Sequence, residues 1–218
     1  MKEAISDVVF FFKSKHSGYL QDRFTQVHDG NFWGDDETRS GPGSRKSSGS
    51  VHAALAALQH VKSAYGFDSV IDIPCGDFNW LDQFLDMHPD VAYTGYDIVE
   101  RLIEDNRKRH PGRVFHHLNI ASSVPPRADL IFCKDLLNHL TYADVRRTIA
   151  NMKASGSTYL LTSNNFNDRP NVDLKNIGGS SRHLDLVQAP FSFPKPLWNT
   201  HYMGLWKIDQ LPSKWNAW

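Results

Sequence analysis

An aspartate and a histidine four residues apart, Asp135 and His139, sit just past the apolar run A128-D-L-I-F-C133. On a helical turn, residues at that spacing share a face. Such a pair can take a proton from a hydroxyl, directly or with one group orienting the other. His139 read more plainly is a helix-cap or packing residue. A second stretch, S69-V-I-D-I-P-C-G-D77, runs apolar and then breaks at Pro74-Cys75-Gly76-Asp77, ahead of a helix-like pattern. Backbone amides at such a turn, under a helix N-terminus, suit a carboxylate or other polar ligand groups. Gly76 lets the backbone approach closely. The third candidate is Asp97, twenty-five residues beyond Asp72 and just past V91-A-Y-T-G-Y96. An acid at the tip of a second strand is placed to accept hydrogen bonds from both hydroxyls of a ribose. It could also cap the next helix. Asn119 could offer its amide to an adenine edge, or be only a turn residue.

These groups need a frame that gathers strand ends. Apolar runs at 68–73, 91–96, 113–118, 128–133 and 158–162 read as strands. Helical patterns alternate with them. Val51, Leu55, Leu58, Val61 and Tyr65 recur at helical spacing. Trp80, Leu81, Phe84 and Leu85 mark the next helix, and Ile98, Leu102 and Ile103 another. Thr141 with Asp144 three residues on resembles a capping box, opening a helix with Val145, Ile149 and Met152 on its apolar face and Gly156 at its end. Strands alternating with helices imply an α/β fold with parallel pairing and right-handed crossovers. From Asn164 to Pro196 the pattern becomes irregular. A weak strand at Leu184–Val187 and another at His201–Ile208 could pair antiparallel at the sheet edge. Residues 1–30 form an N-terminal helical segment, broken near Ser17-Gly18. Residues 31–218 form the working domain, with a lid loop at 31–48 and substrate loops at 164–200.

The composition narrows the classes. Lys and Arg number 24 and Asp and Glu 24, so the balanced charge argues against a general nucleic-acid surface. D35-D-E37 and R107-K-R-H110 read as a solvated loop and a helix end rather than docking patches. Two cysteines, Cys75 and Cys133, make no disulfide framework and suggest a reducing, cytoplasmic setting. No apolar run reaches about 18 residues, so no membrane span is expected. V8-V-F-F-F12 follows Glu3 and Asp7 and makes a poor signal peptide.

The ordered set I71-D-I-P-C-G-D-F-N-W80, Y96-D-I98, L118-N-I120 and D129-L-I-F-C-K-D-L-L-N-H-L140 resembles class I S-adenosylmethionine-dependent methyltransferases. The likeness is to small bacterial and viral-type members associated with glycan methylation. Those pair a loop like Trp33-Gly34 and Ser40-Gly41-Pro42-Gly43-Ser44 with a P-C-G-D turn, and carry a segment like Pro190-Phe191 to Pro194-Lys195-Pro196. It covers roughly residues 31–208. It implies a Rossmann-like sandwich: a mostly parallel seven-stranded sheet, an antiparallel edge hairpin and helices on both faces. It also implies S-adenosylmethionine as cofactor and S-adenosylhomocysteine as product. Pro74, Cys75 and Gly76 would flank the methionine part, with Asp72 nearby. Asp97 and Ile98 would hold the ribose, Asn119 and Ile120 the adenine side, and Cys133 and Lys134 the methionyl tail. Ser44 would belong to the lid. Asn119 stands where such enzymes often have Asp, and Lys134 where Arg is frequent. Arg39 and Arg45 replace small or apolar lid residues, and either could reach an anionic group.

Asp135, with His139 as partner or alternative base, is the expected catalytic pair. Trp33, Phe166, Phe193, Trp198 and Tyr202 supply flat faces for an acceptor, and Asn165, Asp173, Arg182 and His183 supply polar groups. Aromatic faces with convergent amides and charges suit a sugar ring, so the expected reaction is O-methylation of a sugar hydroxyl in a glycan or polysaccharide. Phosphate-type or carboxyl acceptors are the alternative. The chain is compatible with being one domain of a larger glycan-synthesis protein. Magnesium held by Asp135 with Asn164 or Asn165 is conceivable, but the eleven histidines show no zinc spacing, and a metal-free mechanism is expected. Two rival classes share part of the pattern. An NAD-dependent oxidoreductase would want glycines near 74 and 78, where Pro74 and Phe78 stand. A non-catalytic cofactor-binding domain would keep the turn and Asp97 without needing a base.

Overall fold

A computed structural model describes residues 18–166, 169–174 and 180–213. The expected first helical piece, including V8-V-F-F-F12, lies outside the described residues, as do parts of the 164–200 stretch.

A seven-stranded sheet organises the chain. Its strands are β1 (Ser69–Asp72), β2 (Ala92–Asp97), β3 (Val114–His117), β4 (Leu130–Cys133), β5 (Tyr159–Ser163), β6 (Trp198–Asn199) and β7 (Met203–Lys207). The spatial order is β3-β2-β1-β4-β5-β7-β6. The first five are parallel to one another, and β7 runs antiparallel to both β5 and β6. This is the expected mostly parallel sheet with an antiparallel edge. The edge differs in detail. Leu184–Val187 makes no strand, because Leu184 and Leu186 are buried in the core by irregular backbone, and β6 takes the partner position. Residues of β4 are buried throughout, as a parallel strand covered on both faces requires.

Among the described residues, five helices surround the sheet: α1 (Tyr19–Asp29), α2 (Gly49–Tyr65), α3 (Asp82–Met87), α4 (Glu100–Arg109) and α5 (Tyr142–Ala154). Helix α2 buries Val51, Ala54, Leu58 and Val61 at helical spacing. The Ser48 side chain caps it by accepting from the Val51 amide at 3.2 Å. Trp80 and Leu81, expected inside a helix, precede α3 and pack into the core.

Thr141 caps α5. Its Oγ1 accepts from the Asp144 amide at 3.2 Å and donates to Asp144 Oδ2 at 2.6 Å. The Asp side chain thus meets the cap hydroxyl, where a full capping box uses a longer Glu or Gln to reach the cap amide. Thr141→Ala should lower unfolding stability by about 1–2 kcal/mol, measurable as a lower urea midpoint at unchanged slope.

The sheet has a switch point. From β1 the chain proceeds to β2 on one side, and from β4 to β5 on the other, while β1 and β4 are neighbours. Ligands of open α/β sheets bind in the crevice that this reversal opens beyond the strand C-termini. Residues 73–77, 97–99 and 134–139 all leave the sheet at that end.

Candidate active site

A cavity of about 670 Å³ opens over these strand ends, within the common range of about 300–1,000 Å³ for ligand sites. Asp72, Pro74, Cys75, Gly76, Asp97, Ile98 and Lys134 line it, with Ser44 from the 31–48 loop. Asp135, His139, Trp33, Asn165, Arg182 and His183 line it as well. Residues more than a hundred positions apart in sequence therefore share one wall.

The turn after β1 has the form expected for close backbone approach. Gly76 has φ +53°, and a Cβ there would lie 2.3 Å from Ser40 Oγ. Asp97 supports the turn from the side: its Oδ2 accepts from the Gly76 amide at 3.1 Å and its Oδ1 from the Val99 amide at 2.9 Å. Asp97 therefore does not cap α4, whose N-cap is Val99. Each of its oxygens keeps a lone pair. Burial pushes the Asp97 carboxyl up, and the two amides hold it down in part. Burial also pushes Asp72 up to about 8, against the Tyr93 hydroxyl that donates to it at 3.0 Å. A cation arriving beside Asp72 would draw its proton off. A cradle closed to any side chain, a buried acid with spare acceptor capacity and a second acid responsive to positive charge together fit the ribose and aminoacyl ends of S-adenosylmethionine.

The two thiols are inert. Burial pushes Cys75 well above its usual range and Cys133 up to about 12. Cys133 does not reach the cavity, because it is fully buried at the end of β4 and its carbonyl accepts from Thr162 Oγ1 at 2.7 Å. Asn119 and Ile120 line a smaller adjoining pocket of about 30 Å³, together with Leu20 and Phe24 of α1. The Asn119 Oδ1 accepts from the Ala121 amide at 3.0 Å, so this oxygen already holds its own turn.

The 31–48 loop is fastened to the cofactor-side turn through one carboxylate. Asp77 Oδ1 accepts from Thr38 Oγ1 at 2.9 Å and Ser40 Oγ at 3.0 Å, and its Oδ2 accepts from the Arg39 amide at 2.9 Å. Arg39 lines the cavity, whereas Arg45 is turned to an ion pair with Asp35. Asp77→Ala should loosen this loop. Trypsin cleavage after the exposed Arg39 should accelerate about tenfold, the loss of roughly 1.5 kcal/mol of charge-assisted hydrogen bonding; an unchanged cleavage rate would refute the latch.

Asp135 and His139 line the same cavity, but not as an α-helical pair. Asp135 has φ +55° with its amide donating to Ser163 Oγ at 2.8 Å, and the following turn, Leu137–His139, is a 3-10 helix. A non-glycine residue in that region is strained and is held by its surroundings. Asp135 Oδ2 accepts from Lys134 Nζ at 2.7 Å and from the Tyr202 hydroxyl at 2.6 Å. Burial would raise its carboxyl, yet the Lys134 ammonium, the Tyr202 hydroxyl and His139 together outweigh burial and hold it below the usual carboxylate range. That makes Asp135 a poor proton acceptor. His139 differs. Its Nδ1 lies 2.7 Å from the Ser180 carbonyl, which can only accept, so Nδ1 carries the proton and Nε2 has the lone pair. Burial holds its pKa below the ordinary 6.5, so it is neutral at neutral pH. The Trp33 ring lies 5.5 Å away, tilted.

Four of the expected acceptor residues lie elsewhere. Phe166 stacks on Trp206, with ring centroids 6.4 Å apart. Trp198 stacks on His60 at 4.4 Å, away from the cavity, because β6 directs it onto α2. Asp173 accepts from the Tyr142 and Leu174 amides at 2.8 Å and sits behind Arg182. Phe193 packs edge-on against Trp206 in the core. Residues that the sequence did not single out also line the wall: Phe24 and His28 from α1, and Asn138. The apolar repeat Leu20, Phe24, Val27 marked α1 as packed, but not against which element. Among the described residues, no three His, Cys, Asp or Glu side chains gather as metal ligands.

Residues 71–155 match the family model described as a methyltransferase domain. That stretch is similar to a methyltransferase domain. The matched stretch contains the end of β1, the Gly76 turn, Asp97 and the Asp135–His139 segment. Trans-aconitate 2-methyltransferase of Methylobacterium nodulans is 31% identical over 74 residues, which is 34% of this chain and 29% of that protein. The match thus spans under a third of that curated relative. Among solved structures, magnesium protoporphyrin IX methyltransferase from Synechocystis PCC 6803, with bound S-adenosylhomocysteine, has a TM-score of 0.50 at 16% identity, over 66% of this chain and 69% of that one. An amino pentose methyltransferase from Micromonospora echinaspora has a TM-score of 0.45 at 21% identity, over 53% and 51%. At 16% identity the likeness to the Synechocystis protein is one of fold, a Rossmann-like sandwich.

Proposed function

We propose that this chain is an S-adenosylmethionine-dependent O-methyltransferase acting on a sugar hydroxyl, with His139 as the general base. The observation that carries this reading is the shared cavity. It joins the Gly76–Asp97 cradle to a half-buried, neutral imidazole whose Nε2 lone pair is unengaged by Ser180. S-adenosylmethionine supplies an electrophilic methyl group on a sulfonium. Asp97 accepts the ribose hydroxyls, and Asp72 answers the ammonium. Pro74, Cys75, Gly76, Ile98, Lys134 and Ser44 complete that half of the wall. Lys134 keeps Asp135 ionised and fixed, so Asp135 serves position and charge while His139 takes the proton. The acceptor oxygen attacks the methyl carbon, the carbon–sulfur bond breaks, and the hydroxyl proton passes to His139 Nε2. Holding the reactants in line contributes about 7–11 kcal/mol to a step of this type.

Trp33, Asn165, Arg182 and His183 face the acceptor side and suit a polar ring. The two free, buried cysteines fit a reducing, cytoplasmic setting. No helix among the described residues is long and apolar enough to cross a membrane. Residues 31–218 act as the working unit, and Phe24 and His28 of α1 complete its wall. Calorimetry with S-adenosylhomocysteine and with NAD tests the cofactor: tight binding of the first and none of the second is expected. Reversed preference would return the chain to the oxidoreductase class. Methyl release over a panel of sugars distinguishes an enzyme from a silent binding domain.

A further inference from the structure

One charge in the cavity is left half used by the protein. The Arg182 side chain is 7% exposed. Its Nη1 donates to the Leu140 carbonyl at 2.5 Å and lies 3.8 Å from Asp173 Oδ1. One face of its guanidinium rests on the Tyr142 ring, 4.9 Å from the centroid. Its remaining nitrogens, Nε and Nη2, are buried without a hydrogen-bond partner among the described residues. Trp33 Nε1 and Asn138 Oδ1 are in the same condition. All three residues line the cavity with His139. Buried polar groups are nearly always paired, and an orphaned charged donor costs more than a neutral one.

The carboxylates of the cavity offer no match. Asp72, Asp77, Asp97 and Asp135 each already accept from a donor within the protein. The unmatched charge on this wall is therefore positive. Nε and Nη2 form one edge of the guanidinium plane, with two parallel N–H bonds that fit the two oxygens of a carboxylate. The Trp33 indole adds a third donor. Asn138 Oδ1 needs the opposite, a hydroxyl that donates.

We infer that the acceptor is an anionic hydroxy compound, a sugar acid, whose carboxylate docks on Arg182 Nε and Nη2. Its hydroxyls then lie toward Asn138 Oδ1 and His139 Nε2. The inference rests on the methyltransferase reading and narrows its substrate class. A phosphate has similar acceptor oxygens, and the carboxylate of the cofactor is a competing occupant; both are outcomes of the test.

Radiolabelled methyl transfer from S-adenosylmethionine is measured on D-glucuronate, D-galacturonate, glucose 1-phosphate and the parent neutral sugars. S-adenosylhomocysteine binding is measured in parallel by calorimetry. Wild type, Arg182→Gln and Arg182→Lys are compared, with thermal melts to confirm folding. Labelling should favour the uronic acids over the neutral sugars. Arg182→Gln should raise KM for the acid by about 100-fold, the usual scale for losing one partner of a buried charge pair, and leave S-adenosylhomocysteine affinity within about twofold. Arg182→Lys, which keeps the charge but loses the fork, should fall between. Neutral sugars labelled as well as the acids would overturn the inference, as would labelling of the phosphate alone. Weakened S-adenosylhomocysteine binding in folded Arg182→Gln would overturn it by assigning the fork to the cofactor. Cofactor binding with no acid labelled also overturns it. Failure of the wild type to bind S-adenosylhomocysteine would instead remove the methyltransferase reading beneath it.

Discussion

His139→Ala should lower turnover by about 10²–10⁴-fold, the usual contribution of a positioned general base, and leave S-adenosylhomocysteine binding unchanged. The Ser180 carbonyl fixes the tautomer, so the lone pair is on Nε2 before any substrate arrives. Burial holds the imidazole below its ordinary pKa of 6.5, and kcat/KM should therefore be flat at neutral pH and fall on an acid limb centred below 6.5. In Asp135→Asn that limb should persist, because Asp135 itself titrates below the usual carboxylate range. The same shift bears on stability. The unfolded histidine binds a proton at its ordinary pKa and the folded one only lower, so the fold loses stability as pH falls through 6.5. Steady-state kinetics from pH 4.5 to 8.5 checks both variants. Full turnover in His139→Ala would sink the assignment and point to an acceptor that has no proton to lose, such as a carboxylate.

Asp97→Ala should abolish measurable cofactor binding. Two ribose hydroxyls donating to a charged acceptor are worth about 1.5–3 kcal/mol each, so the dissociation constant should rise by at least about 100-fold. The substitution also removes the acceptor of the Gly76 and Val99 amides, and the turn itself would relax. Asp97→Asn narrows the second effect: it keeps the shape and one acceptor oxygen, so only one of the two amides loses its partner. It should stay folded with a modestly lower urea midpoint yet bind S-adenosylhomocysteine at least tenfold more weakly. Calorimetry alongside urea unfolding reads both. Wild-type affinity in Asp97→Asn would remove the ribose role.

The alternation of apolar runs and amphipathic stretches made the parallel sheet legible, because burial on both faces leaves nearly unbroken apolar strands such as β4. Its antiparallel edge was legible only in kind. Leu184 and Leu186 alternate like a strand but are buried by loop backbone, which periodicity alone cannot distinguish. Gly76 and Asp97 were findable because strand tips have fixed positions relative to the switch point. The contacts of Asp135 with Lys134 and Tyr202 were not, since they come from tertiary placement. Trp198 misled for the converse reason: an aromatic residue in a proline-rich stretch gives no sign of which side of the sheet it will face.

The cavity draws its two sides from different parts of the chain. Asp72 to Asp97 and Lys134 form the cradle, whereas Trp33, Asn165, Arg182, His183 and Tyr202 come from segments before and after it. Substitutions at Trp33, Asn165, Arg182 or His183 thus leave the Gly76–Asp97 turn itself in place. The architecture is modular: one wall of the cavity can be altered while the other keeps its shape.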